Sequence, residues 1–177
     1  HWGALDAYTA AAPSVAGFVM SASKLAAAFV LARLALSAGV ELSQVLVWVG
    51  ALTIVWGTFG AIAAASNLRR MLAYSAITHA GFIGLAAGSG PGGLAVAGFY
   101  AATYGSMAML VFAALAGTGP APDVRSLGRL RALCLGLGLF SLSGIPPTPG
   151  FWAKLSVLVI AWQFAGPWPT LIAVLGG

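Results

Sequence analysis

A long uncharged stretch of this chain decides the environment in which it can fold. No Asp, Glu, Lys or Arg lies between Glu41 and Arg69. Hydrophobic residues make up 60% of the chain and charged residues 6%, whereas soluble domains carry about 25% charged residues. Such a chain has too little polar surface to cover a water-soluble fold, so the sequence predicts a membrane protein.

Five apolar stretches reach the ~20 residues that a helix needs to cross a bilayer. The predicted spans are about 14–37, 43–66, 71–89, 93–117 and 132–163, followed by a stub at 169–177. The fifth is overlong and is interrupted by the segment GIPPTPG at 144–150. Strands are not expected, because the apolar runs are long and do not alternate. The predicted fold class is all-α: a polytopic transmembrane bundle of about five to six spans with one broken helix.

One membrane domain is expected over residues 1–177, with residues 1–13 as a loop before the first span. Because the chain starts in a loop and stops inside the apolar run PTLIAVLGG, we expect it to be a fragment of a longer subunit.

Arginines lie on one side of the predicted membrane. The loops 67–70 and 118–131 fall on the same side as the N-terminal segment and contain Arg69, Arg70, Arg125, Arg129 and Arg131. The only arginine on the opposite side is Arg33. The positive-inside rule therefore places the arginine-rich loops in the cytoplasm. The net charge of +5 is spread between loops and spans, so nucleic acid is not an expected partner.

Three ionisable side chains lie deep inside the predicted spans: Lys24, His79 and Lys154. Charges at this depth are costly and usually mark an ion or proton pathway. Two structural alternatives stay open. A buried lysine can simply donate to a backbone carbonyl, and a neutral His79 can be satisfied by Ser75, one turn earlier. No acidic residue lies at the same depth, since Asp6, Glu41 and Asp123 are all outside the predicted spans.

The segment GIPPTPG predicts a helix break beside Lys154. Pro146, Pro147 and Pro149 remove amide donors, and Gly144 and Gly150 loosen the backbone. Freed carbonyls at this depth are tolerated only inside protein or against a water-filled cavity, and broken helices of this kind form ion sites in transporters. A proline kink alone is a common packing feature, but its coupling to a deep lysine favours transport.

Three motifs resemble one family in order and spacing. SLSGIPPTPGFWAK is similar to the S-L-x-G-I-P-P-T-x-G-F-x-x-K segment of the antiporter-like proton-channel subunits of respiratory complex I, and most closely of subunit N. NLRRMLAYSAITHAGF resembles their N-x-K-R-x-L-A-Y-S-S-I-x-H-x-G-Y segment, and SASKLAAAFVLARL their lysine-containing helix. The resemblance covers nearly the whole chain. Arg69 stands where lysine is usual, and Leu5 replaces a proline of the opening loop.

The resemblance implies roles for individual residues within an inverted-repeat, antiporter-like fold. Lys24 matches the central lysine that links two half-channels, and Lys154 matches the lysine on a broken helix that leads to the far-side exit. His79 matches a histidine on the polar axis between them. The glutamate–lysine pair that this family carries on earlier helices is missing from this stretch. It alone is therefore not expected to form the first half-channel.

The implied function is that of a non-redox membrane subunit of a proton-translocating NADH–quinone oxidoreductase. Protons would pass along Lys24, His79, Lys154 and water, driven by quinone reduction in other subunits. No cofactor or metal is expected in this chain; NADH, FMN, iron–sulfur clusters and quinone are expected in partner subunits. The expected partners are other membrane subunits of the complex and lipid, with no soluble substrate, in a bacterial cytoplasmic or other energy-coupling inner membrane.

Two other functions remain open from the sequence. A subunit of a multisubunit cation/proton antiporter, or of a membrane-bound hydrogenase, would carry the same motifs. A structural or assembly module, in which the lysines only pin helices together, is an alternative of another class.

Overall fold

The computed structural model describes residues 2–118 and 124–177. Within these ranges it forms α1 (Trp2–Ala10), α2 (Pro13–Ala63), α3 (Leu68–Ala87), α4 (Gly93–Ala114), a 3₁₀ turn (Val124–Ser126), α5 (Arg129–Ser143), α6 (Pro149–Phe164) and α7 (Pro167–Gly176). The all-α prediction is confirmed over the described residues. His1, Asp123 and the part of the predicted loop 118–131 at 119–123 lie outside them.

The chain reverses inside α2, at Gly39, which divides it into a first arm (Pro13–Ser37) and a second arm (Gly39–Ala63). Gly39 has φ 83° and ψ −169°, a conformation open to glycine and hardly to any other residue. The gap between the predicted first and second spans therefore contracts to a single backbone position.

The antiparallel orientation of the two arms follows from their neighbours, because α3 and α4 are joined by a short turn and run in opposite directions. The first arm runs antiparallel to α4, because Gly17 lies beside Phe112 and the Ser21 hydroxyl lies 2.9 Å from the Gly105 carbonyl oxygen. The second arm runs antiparallel to α3 in the same way, with its glycines set against the backbone of that helix: Gly50 against Gly81 and Leu85, Gly57 against Thr78. Small residues permit this close backbone approach between membrane helices.

Within residues 2–118 and 124–177, three helical segments are long and apolar enough to cross a membrane by length and composition: the two arms of α2, and α4. α3 has 20 residues but begins next to two arginines, and α5 and α6 have 15 and 16 residues. Large apolar side chains face outward, including Trp56 at 58%, Phe59 at 70% and Trp168 at 70% exposure. A surface of this kind is covered by lipid or by another membrane helix rather than by water.

α1 occupies the segment that was predicted as the loop 1–13. Its sequence, WGALDAYTA, contains three alanines, the residue with the highest helix propensity, and Pro13 then opens the next helix at a position that suits proline. Leu5 and Tyr8 pack against the hydrophobic core, so α1 belongs to the bundle rather than to a peripheral loop.

α5 and α6 follow each other along α4, as two halves of one broken span. α5 covers the C-terminal half of α4, where Gly138 packs against Val111, and α6 covers the N-terminal half, where Ile160 packs near Gly92. The predicted break at 144–150 is therefore present. Its last two residues, Pro149 and Gly150, form the first turn of α6.

Arginines meet the carbonyl end of α4. Arg69 is 7% exposed and donates from Nη2 to the Thr118 carbonyl at 3.0 Å, while Arg131 donates from Nη1 to the Ala116 carbonyl at 3.0 Å. Cations are stabilised at helix C-termini because the last carbonyls carry partial negative charge. These two arginines, together with Arg70 and Arg129 on the same first turns of α3 and α5, define what we call the arginine end of the bundle.

The packing of α3 on the second arm gives a prediction for two glycines three residues apart. A Cβ at Gly81 would lie 2.7 Å from the Gly50 carbonyl oxygen and 2.8 Å from the Ile54 amide nitrogen, whereas a Cβ at Gly84 would meet nothing closer than 3.6 Å. We expect Gly81→Ala to destabilise the subunit by about 1–3 kcal/mol through forced separation of the helices. Gly84→Ala is the matched control and should be neutral or stabilising. Thermal denaturation in detergent measures both; equal melting temperatures would contradict this packing.

Candidate functional site

Lys24 lies in the first arm with aromatic faces around its ammonium group. Its side chain is 7% exposed, and Nζ lies 5.0 Å from the centre of the Tyr104 ring and 5.8 Å from that of Tyr8. Among residues 2–118 and 124–177 no hydrogen bond to Nζ is formed. The negative face of an aromatic ring attracts a cation, so Tyr104 from α4 and Tyr8 from α1 supply the stabilisation that a carboxylate would otherwise give.

The height of Lys24 in the bundle is fixed by its helix partner. The Ser21 hydroxyl, one turn before Lys24, lies 2.7 Å from the Gly17 carbonyl oxygen and 2.9 Å from that of Gly105. Because α4 runs in the opposite direction, this contact sets Lys24 beside Tyr104. The buried Ser21 side chain, which has few rotamers, thus holds Lys24 level with Tyr104.

His79 occupies the centre of the described bundle. It is 5% exposed, and its Nδ1 lies 2.7 Å from the Tyr100 hydroxyl. Its ring centre lies 4.5 Å from that of Tyr104. The partner anticipated from the sequence, Ser75, is therefore wrong: the hydrogen bond goes to a tyrosine of α4. This bond fixes the plane of the imidazole ring and leaves the opposite nitrogen, Nε2, to exchange a proton with another group.

Lys154 lies one turn into α6 and bridges the helix break. Its Nζ donates to the Ser143 carbonyl at 3.1 Å and to the Gly177 carbonyl at 2.8 Å, and it lies 5.7 Å from the centre of the Phe82 ring. Phe82 in turn stacks on Tyr100, with ring centres 5.4 Å apart. The side chain is half-buried rather than fully buried, so it is less deep than its position in the sequence suggested.

The break itself is held by short polar contacts rather than left open. Gly144 ends α5 in the left-handed conformation, with φ 77°, which is a common helix C-cap for glycine. The Gly150 amide, one of the free donors at the start of α6, donates to the Ser141 hydroxyl at 3.1 Å. A Cβ at position 150 would collide with the Ser141 carbonyl oxygen, so glycine is required there. Pro146 and Pro147 lie between the two helices.

A cavity of about 290 Å³ adjoins the break. Its lining includes Ser143 and Lys154 from the two sides of the break, and His79, Ser75 and Met71 along α3. Water needs a polar site with room for it, and this cavity offers both. It extends along α3 toward the arginine end.

All three ionisable residues predicted from the sequence come together around α4. Two tyrosines that were not predicted, Tyr100 and Tyr104, connect them. They are four residues apart in an apolar span, hence on one helix face, and a buried tyrosine hydroxyl seeks a polar partner. That spacing was the available signal. The two acidic side chains in the described ranges, Asp6 and Glu41, are both exposed and do not pair with the lysines.

The family model described as "NADH:quinone oxidoreductase/Mrp antiporter, TM" matches residues 1–177. The chain belongs to this family. Because the family model matches every residue of the chain, the family assignment includes the two arms of α2, the helix α4 that carries the two tyrosines, and the broken span. The prediction of a multi-pass membrane protein with the antiporter-like fold is thereby confirmed.

Individual family members resemble it closely. NADH-quinone oxidoreductase subunit N 2 of Solidesulfovibrio magneticus is 35% identical over 188 residues, covering 99% of this chain and 40% of the relative. Subunit N of Laribacter hongkongensis is 38% identical over 191 residues, covering 99% and 39%. This chain thus spans about two fifths of the length of the curated relatives that it matches.

A solved structure shares the fold. A chain of the membrane-bound sulfane sulfur reductase, an archaeal respiratory membrane complex, superposes with a TM-score of 0.78 at 26% identity, over 98% of this chain and 38% of that chain. Among the described residues no group of three His, Cys, Asp or Glu side chains could hold a metal ion.

Proposed function

We propose that this chain is the part of a subunit N-type membrane subunit that passes protons between Lys24, His79 and Lys154. The observation that carries the proposal is the single row of contacts across α4: Lys24 on Tyr104, Tyr104 on His79, and His79 with Lys154 at one cavity. A protonatable group must lie near its partner, or one water away, to exchange a proton. Water in the cavity that His79 and Lys154 share would carry the exchange between these two residues.

The proposal extends to the complex in which the subunit works. The protein would be a non-redox component of a proton-translocating NADH–quinone oxidoreductase, with NADH, FMN, iron–sulfur clusters and quinone bound by partner subunits. Support comes from the relatives of subunit N type and from the structural neighbour in a respiratory membrane complex. The complex would lie in the bacterial cytoplasmic or another energy-coupling inner membrane, with the arginine end in the cytoplasm.

The test of this function uses membrane vesicles that contain the assembled complex. NADH should drive proton uptake into inverted vesicles, and the rate should be the same whether or not sodium is present. A subunit of a cation/proton antiporter would instead exchange sodium for protons without NADH oxidation. Sodium-dependent proton movement that ignores NADH would overturn the proposal, and the same vesicles serve as their own control before NADH is added.

A further inference from the structure

The outward face of α5 carries a continuous row of large apolar side chains. Leu130, Leu133, Leu137 and Phe140 are 57–75% exposed, and their spacing of three, four and three residues sets them on one side of the helix. We call these four residues the α5 strip. At 1.5 Å per residue the strip is about 15 Å long, which is half of the ~30 Å hydrocarbon thickness of a bilayer. It therefore matches the depth of one lipid leaflet.

A glycine leaves open space beside this strip. Gly136 follows Leu133 by three residues and precedes Phe140 by four, so it adjoins both on the helix surface. A Cβ at Gly136 would meet nothing within 4 Å, whereas a Cβ at Gly138 would lie 2.5 Å from Cγ2 of Val111. Gly138 is thus needed for packing on α4, and Gly136 is not. The gap at position 136 lets a slender apolar chain lie close to the helix backbone.

Positive charge stands at the head of the strip. Arg129, the first residue of α5, precedes Leu133 by four residues and so shares its side of the helix. Its side chain is exposed and, like that of Arg70 at the start of α3, has no hydrogen-bond or ion-pair partner within residues 2–118 and 124–177. Uncompensated positive charge attracts anionic lipid headgroups. An apolar strip one leaflet deep below such a charge is complementary to an anionic phospholipid.

A second apolar strip, on α6, shows what this face would be without the charge. It has the same spacing and is 37–57% exposed: Trp152, Leu155, Val159 and Trp162. Lys154 is the one charged side chain between residues 145 and 177, and it donates to two backbone carbonyls. The α6 strip is therefore an internal control for apolar contact alone.

We propose that the α5 strip and the arginine end bind an anionic phospholipid, with one acyl chain along the strip and the phosphate at Arg129. Arg70 adds positive charge at the same end of the bundle. The site is separate from the proposed proton path, because neither these two arginines nor the α5 strip line the cavity at His79 and Lys154.

The experiment exposes the purified, assembled complex to two photoactivatable lipids, phosphatidylglycerol and phosphatidylcholine, each with a diazirine in the middle of one acyl chain. After irradiation and digestion, mass spectrometry measures the lipid attached to residues 129–143 and to residues 149–164. Phosphatidylglycerol should label α5 at least about five times more than phosphatidylcholine does, since each basic side chain near a membrane surface favours an anionic lipid by about this factor. The two lipids should label α6 equally.

Three variants locate the headgroup and the chain. Arg129→Gln should lower labelling of α5 by phosphatidylglycerol about fivefold, and Arg70→Gln, which serves if Arg129→Gln does not assemble, should lower it as well. Gly136→Phe fills the open gap beside the strip and should also lower it. Arg33→Gln removes an exposed arginine at the other end of the bundle and is the matched control, with labelling unchanged.

Equal labelling of α5 by the two lipids would overturn the site, and so would full labelling by phosphatidylglycerol in the arginine variants or in Gly136→Phe. An α5 strip that neither lipid labels would also refute the proposal, because another membrane helix then covers this face. The proposed function is judged separately, by NADH-driven proton uptake: a complex that does not pump but whose α5 prefers phosphatidylglycerol would defeat that function and leave the lipid site standing.

Discussion

Replacing Lys24 by arginine should stop proton translocation through the subunit while leaving the complex assembled. Arginine keeps the positive charge and its attraction to the rings of Tyr8 and Tyr104, but its guanidinium is not deprotonated in proteins. A positioned proton-transfer group is worth about 10²–10⁴-fold in rate, so we expect a loss of at least about 100-fold in proton flux through this subunit. Protons moved per NADH oxidised in inverted vesicles are the measured quantity.

Lys24→Ala and Arg33→Ala complete that experiment. Lys24→Ala removes both charge and proton carrier, and should match Lys24→Arg in pumping. Arg33, exposed on the same arm, is the control and should pump normally when replaced. If Lys24→Arg pumps fully while Lys24→Ala fails to assemble, the lysine serves only to hold helices together, and the structural alternative is correct.

The second large effect is expected at Lys154. Lys154→Met keeps the length of the side chain and removes the donor to the Ser143 carbonyl. We expect the complex to assemble, because the break retains its own contacts, the left-handed Gly144 and the Gly150 amide bonded to Ser141. Proton pumping should fall by about 100-fold or more, as at Lys24. The readouts are subunit content of the purified complex and NADH-driven proton uptake.

A control at the same break separates structure from transport. Ser141→Ala leaves the Gly150 amide without its partner, which should cost about 1–3 kcal/mol of stability and lower the melting temperature. It should leave pumping largely intact in complexes that assemble. The opposite pattern, with Lys154→Met losing assembly and Ser141→Ala losing pumping, would show that the roles assigned to the two residues are reversed.

The fold was predictable where a single physical rule dominates. Long apolar runs specify membrane helices, and the three prolines between Gly144 and Gly150 specify the break between α5 and α6. α1 was not predicted, because its nine residues carry no clear apolar period and only packing against the bundle reveals it. A reversal was expected between the first two spans, but its contraction to Gly39 was hidden, since glycine occurs throughout this chain.

The site was predictable in its charges and not in its connections. Lys24, His79 and Lys154 stand out because an ionisable group in lipid is costly. Tyr100 and Tyr104 do not, because tyrosine is an ordinary component of apolar helices. Their role depends on which face of α4 meets His79 and Lys24. That is fixed by contacts between residues far apart in the chain, such as that of Ser21 with Gly105.

The reversal at Gly39 has a consequence for how the polypeptide acquires its shape. The entropy lost in closing a loop grows with its length, and here the connection between two membrane-crossing arms has almost no length. The first contact across the turn, from the Ser43 hydroxyl to the Ala35 carbonyl at 3.4 Å, joins residues only eight apart. Among the membrane-crossing segments of the described ranges, the two arms are therefore joined by the shortest connection, and bringing them together costs the least loop entropy.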